Sequence, residues 1–140
     1  MRILNRLTEE TIFKSDKKTM KETVEEATRK GANLYLADLR DADLRDADLH
    51  LVDLHLVDLR GADLRGANLH DVGLIALTLS YYTVYVQRTH TQINDWCLEN
   101  KQWRNLTNDK IAKLDEHALE FWTSYKDVIF SAMDSLQEDN

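Results

Sequence analysis

Leucine returns every fifth residue through nine consecutive units, at Leu34, Leu39, Leu44, Leu49, Leu54, Leu59, Leu64, Leu69 and Leu74. Two positions before each stands a small or β-branched apolar residue: Ala32, Ala37, Ala42, Ala47, Val52, Val57, Ala62, Ala67 and Val72. Asp or Asn lies between the two in every unit but the last, which has Gly73. No single regular element tolerates this spacing. Five residues turn an α-helix by roughly 140°, and an odd step along a strand sends the side chain to the opposite face. The chain must therefore bend once per unit. Each unit reads as a short extended edge whose Ala/Val and Leu point inward, followed by a corner that aims the next pair at the same axis. Self-similarity at a fixed period marks coils that stack and bury one continuous core, so the nine leucines are the predicted structural core.

The units Ala-Asp-Leu-Arg-Asp, Ala-Asp-Leu-Arg-Gly and Gly-Ala-Asn-Leu resemble the pentapeptide repeat proteins, over about a third of the chain. The resemblance implies an all-β core with α caps: a right-handed quadrilateral β-helix with four repeats per coil. Residues 1–31 then supply an N-terminal strand and capping helix and residues 32–79 the solenoid, with C-terminal strands and helices over 80–140 in the same compact body. Several members of that family are thought to inhibit or protect type II topoisomerases by imitating DNA.

With four repeats per coil, residues twenty apart stack at roughly 4.8 Å. Arg40 falls on Arg60, Arg45 on Arg65 and His50 on His70, beside columns Asp38/Asp58 and Asp43/Asp63. These are mixed ladders in which Asp and Arg neutralise each other, and Asp and Asn also suit the corner backbone. One corner is apolar: Leu36 and Leu56 stack at an outward position, Leu51 lies on the adjoining face, and Tyr35 and Ile75 occupy the next outward column. Such a stripe calls for a cover. The predicted interaction surface is Leu36, Asp38, Asp41, Asp43, Asp46, Leu51, Leu56, Asp58 and Asp63.

The flanks read as end pieces. Residues 3–14 alternate as a short strand or hairpin. Thr19-Met20-Lys21-Glu22 has capping-box spacing and Gly31 supplies a stop, which predicts a helix over about 20–30 with Met20, Val24 and Ala27 on one side, placed to seal the first coil. After Leu74, Tyr81–Val86 predicts further strands. Residues 90–105 look less regular, with Trp96 and Trp103 as anchors. Thr107 and Asp115 are N-caps for helices over 109–114 and to about Leu136. The longer helix shows an apolar face of Leu119, Trp122, Ile129, Ala132, Met133 and Leu136, which is the predicted cover for the Leu36/Leu51/Leu56 stripe; a homodimer through the same stripe is the alternative. The segment Lys113-Leu114-Asp115-Glu116-His117-Ala118-Leu119-Glu120-Phe121-Trp122 and its continuation to Ile129 resemble the tails of pentapeptide repeat proteins among bacteriophage products. That resemblance implies a phage-encoded protein acting in a host.

The 140 residues, 43% hydrophobic, suffice for one small body. The absence of a long apolar run and an N-terminus reading Met-Arg-Ile-Leu-Asn-Arg predict a cytoplasmic protein with neither membrane span nor signal peptide. The single Cys97, beside Trp96, reads as a buried structural thiol. Net charge is −7. Residues 1–31 carry a small basic excess, whereas the repeats hold nine acidic residues against four arginines. This disfavours direct nucleic-acid binding, which needs clustered Lys and Arg, and favours a basic protein partner.

The sequence holds no phosphate loop, nucleophile elbow or paired-cysteine motif, so no cofactor, metal or catalytic residue is predicted. The nearest chemical candidate is the corner bearing His50, His55 and His70, where two stacked imidazoles have the spacing to share a zinc ion; His90 and His117 show no evident partner. Three readings result. The first is a non-enzymatic protein–protein interaction module, monomer or homodimer, that inhibits or modulates a host nucleic-acid-handling or defence protein. The second is a DNA-mimic inhibitor of a topoisomerase or other DNA-binding enzyme. The third is a metal-dependent enzyme at the histidine corner. The first is favoured.

Overall fold

In the computed structural model, which describes residues 1–138, the chain divides into two compact units, Met1–Leu74 and the remainder from Ile75. The first unit begins with strands β1 (Arg2–Asn5) and β2 (Thr11–Lys14), an antiparallel hairpin with a register shift between Ile3 and Leu4. Helix α1 (Met20–Arg29) follows. Thr19 caps it, its hydroxyl oxygen accepting from the Glu22 amide at 3.1 Å; the Glu22 carboxylate accepts from that hydroxyl at 3.0 Å. Val24 and Ala27 are fully buried, and the Ala27 carbonyl accepts from the Ala32 amide, so the helix runs directly into the first repeat.

Within the repeats the only named strand is β3 (Ala37–Asp38), which pairs antiparallel with β1 in a sheet of order β2-β1-β3. The short extended edges expected of the units are joined by single parallel bridges, Asp38 to Asp58, Asp43 to Asp63 and Asp48 to Asn68. Each bridge links residues twenty apart. Backbone bonds follow the same interval: the Leu44 amide donates to the Asp63 carbonyl and the Asp63 amide to the Ala42 carbonyl, both at 2.9 Å. Within each unit the leucine carbonyl accepts from the amide three residues on, as in Ala42 to Leu39 (3.2 Å) and Ala62 to Leu59 (3.0 Å), which closes a β-turn.

Leu34, Leu39, Leu44, Leu49, Leu54 and Leu59 are at most 1% exposed, and Leu64 and Leu74 are buried. Ala67 and Leu69 are half-buried, so the core loosens near the last of the repeats, and Ala32 is half-buried at the opposite end.

The second unit holds β4 (Leu74–Leu79), β5 (Tyr82–Gln87), β6 (His90–Ile93) and β7 (Trp96–Glu99), adjacent in that order, then α2 (Asn100–Asn105), α3 (Asn108–Ala112) and α4 (Ala118–Glu138). The segment expected to be irregular is thus a hairpin and a helix. Its turn is Asn94-Asp95, with Asn94 at φ +47°, a conformation Asn tolerates. Trp103 does act as an anchor: it is 1% exposed and its indole N–H donates to the Thr91 carbonyl at 2.9 Å. Cys97 is half-buried on β7, not enclosed as expected.

Helix α4 packs on β5 and α3. It begins at Ala118, later than expected, because Asp115 forms a turn with the His117 amide while accepting the Tyr82 hydroxyl at 2.7 Å. Its buried face is Ala118, Phe121, Trp122, Ile129, Met133 and Leu136, which keeps four of the six expected residues; Ala132 is half-buried and Leu119 points outward at 36% exposure. Among the described residues no helix is long and apolar enough to cross a membrane.

Candidate interaction surface

The outward surface of the repeats is ordered by one backbone rule that the leucine series does not reveal. Every fifth residue, two after each leucine, has positive φ: Leu36, Asp41, Asp46, Leu51, Leu56, Gly61, Gly66 and Asp71, all between +57° and +75°. This is the third residue of the turn closed by the bond described above, where the type II form takes positive φ, and a side chain there costs about 1–2 kcal/mol for residues other than Gly, less for Asp or Asn. Gly61 and Gly66 were the visible signal. They also sit under side chains twenty residues earlier in the chain, since a Cβ on Gly61 would lie 2.0 Å from Asp41 Oδ1 and one on Gly66 2.1 Å from Asp46 Oδ1.

A second rule concerns the Asp or Asn before each leucine. Its Oδ1 accepts from the amide two residues on, at 2.9 Å for Asn33 to Tyr35, 3.1 Å for Asp38 to Arg40 and 2.8 Å for Asp53 to His55. Where the residue after the leucine is arginine, the same carboxylate is also clamped by the guanidinium. Arg40 donates from Nε (2.8 Å) and NH2 (2.6 Å) to Asp38, and Arg45 does the same to Asp43. The strongest pairing is therefore within a unit; the contacts between distant units, Arg40 Nε to Asp58 at 3.8 Å and Arg45 Nε to Asp63 at 3.9 Å, are longer. The Arg45 hydrogen bonds hold Asp43 down to about 2, and the Arg40 and Arg65 bonds likewise lower Asp38 and Asp63.

The predicted surface residues do not share one fate. Asp41, Asp43, Asp46 and Leu51 are exposed, while Leu36, Asp38, Leu56 and Asp63 are half-buried. Asp58 must be removed from the list: it is 2% exposed. Its backbone is bonded into β3 and its carboxylate is taken up by Arg60 at 2.8 and 2.5 Å. Burial opposes the charge on Asp58, but the Arg60 bonds outweigh it and the group titrates below the usual carboxylate range.

The apolar stripe is covered in part from the N-terminus. The Arg6 amide donates to the Leu36 carbonyl at 2.8 Å and its guanidinium to the Leu56 carbonyl at 3.1 Å, because β1 lies alongside β3. Leu51 is 69% exposed. Tyr35 is also exposed, its ring 6.0 Å from His55 in a stacked pair.

Leu51 lies at an open cleft of roughly 670 Å³ beside α1, lined by Glu25, Thr28, Arg29, Gly31, Ala32, Asn33, Asp48, His50, Leu51, Val52 and Asp53. The Glu25 carboxylate reaches across to accept from the Asp48 amide at 2.9 Å. Asp48 Oδ1 is shared by His50 Nδ1 (2.7 Å) and the Asn68 amide group (3.1 Å), and the His50 bond leads the effects that lower its pKa. The histidines of the chemical candidate go separate ways: His50 to Asp48, His55 to Tyr35, and His70 Nε2 to Asp71 at 3.1 Å. Among the described residues, no group of three or more His, Cys, Asp or Glu is arranged to hold a metal ion. Neither the cleft nor the positive-φ column was read from the sequence.

No curated protein and no solved structure matches the chain. The family model described as pentapeptide repeats matches residues 32–71 in eight copies, which are the first eight of the nine units and leave out the one carrying Gly73.

Proposed function

We propose that the protein is a non-enzymatic interaction module whose repeats form a right-handed quadrilateral β-helix and whose outward acidic corners engage a basic protein. The match to pentapeptide repeats supports the coil, and so does the twenty-residue interval of its backbone bonds. The observation that carries the interaction is the set of exposed aspartates at positive-φ corners, Asp41, Asp46 and Asp71. These corners project carboxylates without an arginine clamp inside their own unit, and such a surface attracts a positively charged partner. The tail's resemblance to bacteriophage products makes a bacterial nucleic-acid-handling or defence protein the partner we look for, met in the host cytoplasm and inhibited or modulated by binding.

DNA imitation is the weaker reading. Two coils at about 4.8 Å each span the length of about three base pairs at 3.4 Å. Four arginines also interrupt the acidic surface by clamping Asp38, Asp43, Asp58 and Asp63.

Affinity capture with cross-linking from bacterial lysate tests the proposal. The variant Asp41→Asn with Asp46→Asn and Asp71→Asn keeps the corners, since Asn accepts positive φ, while removing three charges. Enrichment of a basic protein by the native chain and its loss with the variant is the expected result. Failure of the native chain to enrich any protein above a bead control overturns the reading.

A further inference from the structure

Resting on that interaction reading, the geometry points to one site on the first unit: we propose that the cleft beside α1 receives a protein segment presenting a lysine or arginine next to an aliphatic residue, with Leu51 as the apolar contact. The lining is chemically mixed in a directed way. Glu25, Asp48 and Asp53 stand against the single guanidinium of Arg29, so the cleft carries an excess of negative charge that a cationic side chain complements. Its volume of roughly 670 Å³ accommodates a few side chains.

Leu51 is the second observation. Its φ of +63° is imposed from outside the residue, because its amide donates to the His70 carbonyl at 3.0 Å as part of the twenty-residue ladder. Glycine or aspartate holds this corner in five of the eight units, and both adopt it more readily than leucine. Leu36 and Leu56 share the strained corner but are half-buried, and Arg6 bonds to their carbonyls. Leu51 alone of the three is 69% exposed, an aliphatic side chain held in an unfavourable conformation at the mouth of an acidic cleft. The ladder fixes the conformation; that an exposed leucine occupies it in place of glycine or aspartate is accounted for by an intermolecular contact, since strain retained at an exposed position is characteristic of binding sites.

Backbone strain and binding therefore move in opposite directions on Leu51→Gly. The substitution relieves the positive-φ penalty and removes the contact. The probe is a short synthetic peptide in which lysines alternate with leucines, compared with one alternating lysine and serine and one alternating glutamate and leucine. Backbone amide shifts of the full chain are followed on titration. The lysine–leucine peptide is expected to shift residues 25–33 and 48–53, with the other two binding at least about tenfold more weakly, equivalent to the loss of one good contact. Leu51→Gly is expected to weaken the lysine–leucine peptide by about the same factor while raising the melting midpoint. A residue with only a structural role would not lower affinity while raising stability. Equal binding by Leu51→Gly, equal binding of the lysine–serine peptide, or shifts confined to the exposed aspartate corners would each overturn the site. Affinity capture separates the two proposals: a partner retained in full by Leu51→Gly refutes the cleft and leaves the interaction reading standing.

Discussion

Gly61→Ala tests the corner geometry on which every outward residue depends. Gly61 has φ +74°, where alanine costs about 1–2 kcal/mol. The new methyl would also meet Asp41 Oδ1 at 2.0 Å and Asp41 Cγ at 3.1 Å, while the Asp41 backbone nitrogen stays at 3.6 Å. Only the far end of an exposed side chain obstructs it. Asp41 can swing aside at the price of an unfavourable rotamer, about 0.5–1.5 kcal/mol, so the total is about 1.5–3.5 kcal/mol. For a unit of this size each kcal/mol lowers the melting midpoint by roughly 4–8 °C, which gives a fall of roughly 6–28 °C in far-UV circular dichroism. Pairing Gly61→Ala with Asp41→Gly removes the obstruction and leaves the positive-φ cost at position 61, so the double variant is expected to recover at least the rotamer share, since glycine also suits the positive φ of position 41. A midpoint within about 2 °C of the native chain, less than one kcal/mol on the same scale, would refute both the positive-φ corner and the stacking of Asp41 over Gly61.

Leu54→Ala deletes a side chain that is 1% exposed and is expected to cost about 2–5 kcal/mol, read as an earlier urea or thermal midpoint; an unchanged midpoint would place Leu54 outside the core. Acid should destabilise the repeats. Asp43 titrates at about 2 when folded, below its unfolded value near 3.9, so its contribution is present above that value and is lost as pH falls from about 4 toward 2, and Asp38 and Asp63 act in the same direction. A melting midpoint that stays level or rises across that window at low salt contradicts this. The purified protein is expected to leave DNA gyrase supercoiling unaffected; potent inhibition would reinstate DNA imitation over the acidic-corner reading.

The inward register was legible because leucine and Ala/Val recur without interruption, and burial of Leu34 through Leu59 follows from that alone. The bonds from Asp and Asn to the corner amides were legible too, since those side chains suit turns. The corner column was harder to see. Gly61 and Gly66 signal positive φ, but Leu36, Leu51 and Leu56 at the same position conceal it, because leucine is a poor guide to a conformation it does not prefer. Asp58 looked like its neighbour Asp63 in sequence but is buried, its backbone bonded to Ala37 and Leu39 beside the strand that pairs with β1, contacts between residues far apart in the chain. On α4 the apolar spacing was legible for Trp122, Ile129, Met133 and Leu136, which are buried; Leu119 lies outward at 36% exposure, and Ala118 and Phe121 are buried instead. Similarly, the β6–β7 hairpin was signalled only by Asn94-Asp95 between two short alternating runs, which is weaker than an Asn-Gly turn.

The central claim is that the repeats close a coil every twenty residues and stack it on the next. Scalar couplings across backbone hydrogen bonds, measured by NMR on isotope-labelled protein, test it without mutation. The account predicts couplings from the Leu44 amide to the Asp63 carbonyl, from the Asp63 amide to the Ala42 carbonyl and from the Asp58 amide to the Ala37 carbonyl. Couplings that connect these amides to carbonyls at any other interval would contradict it.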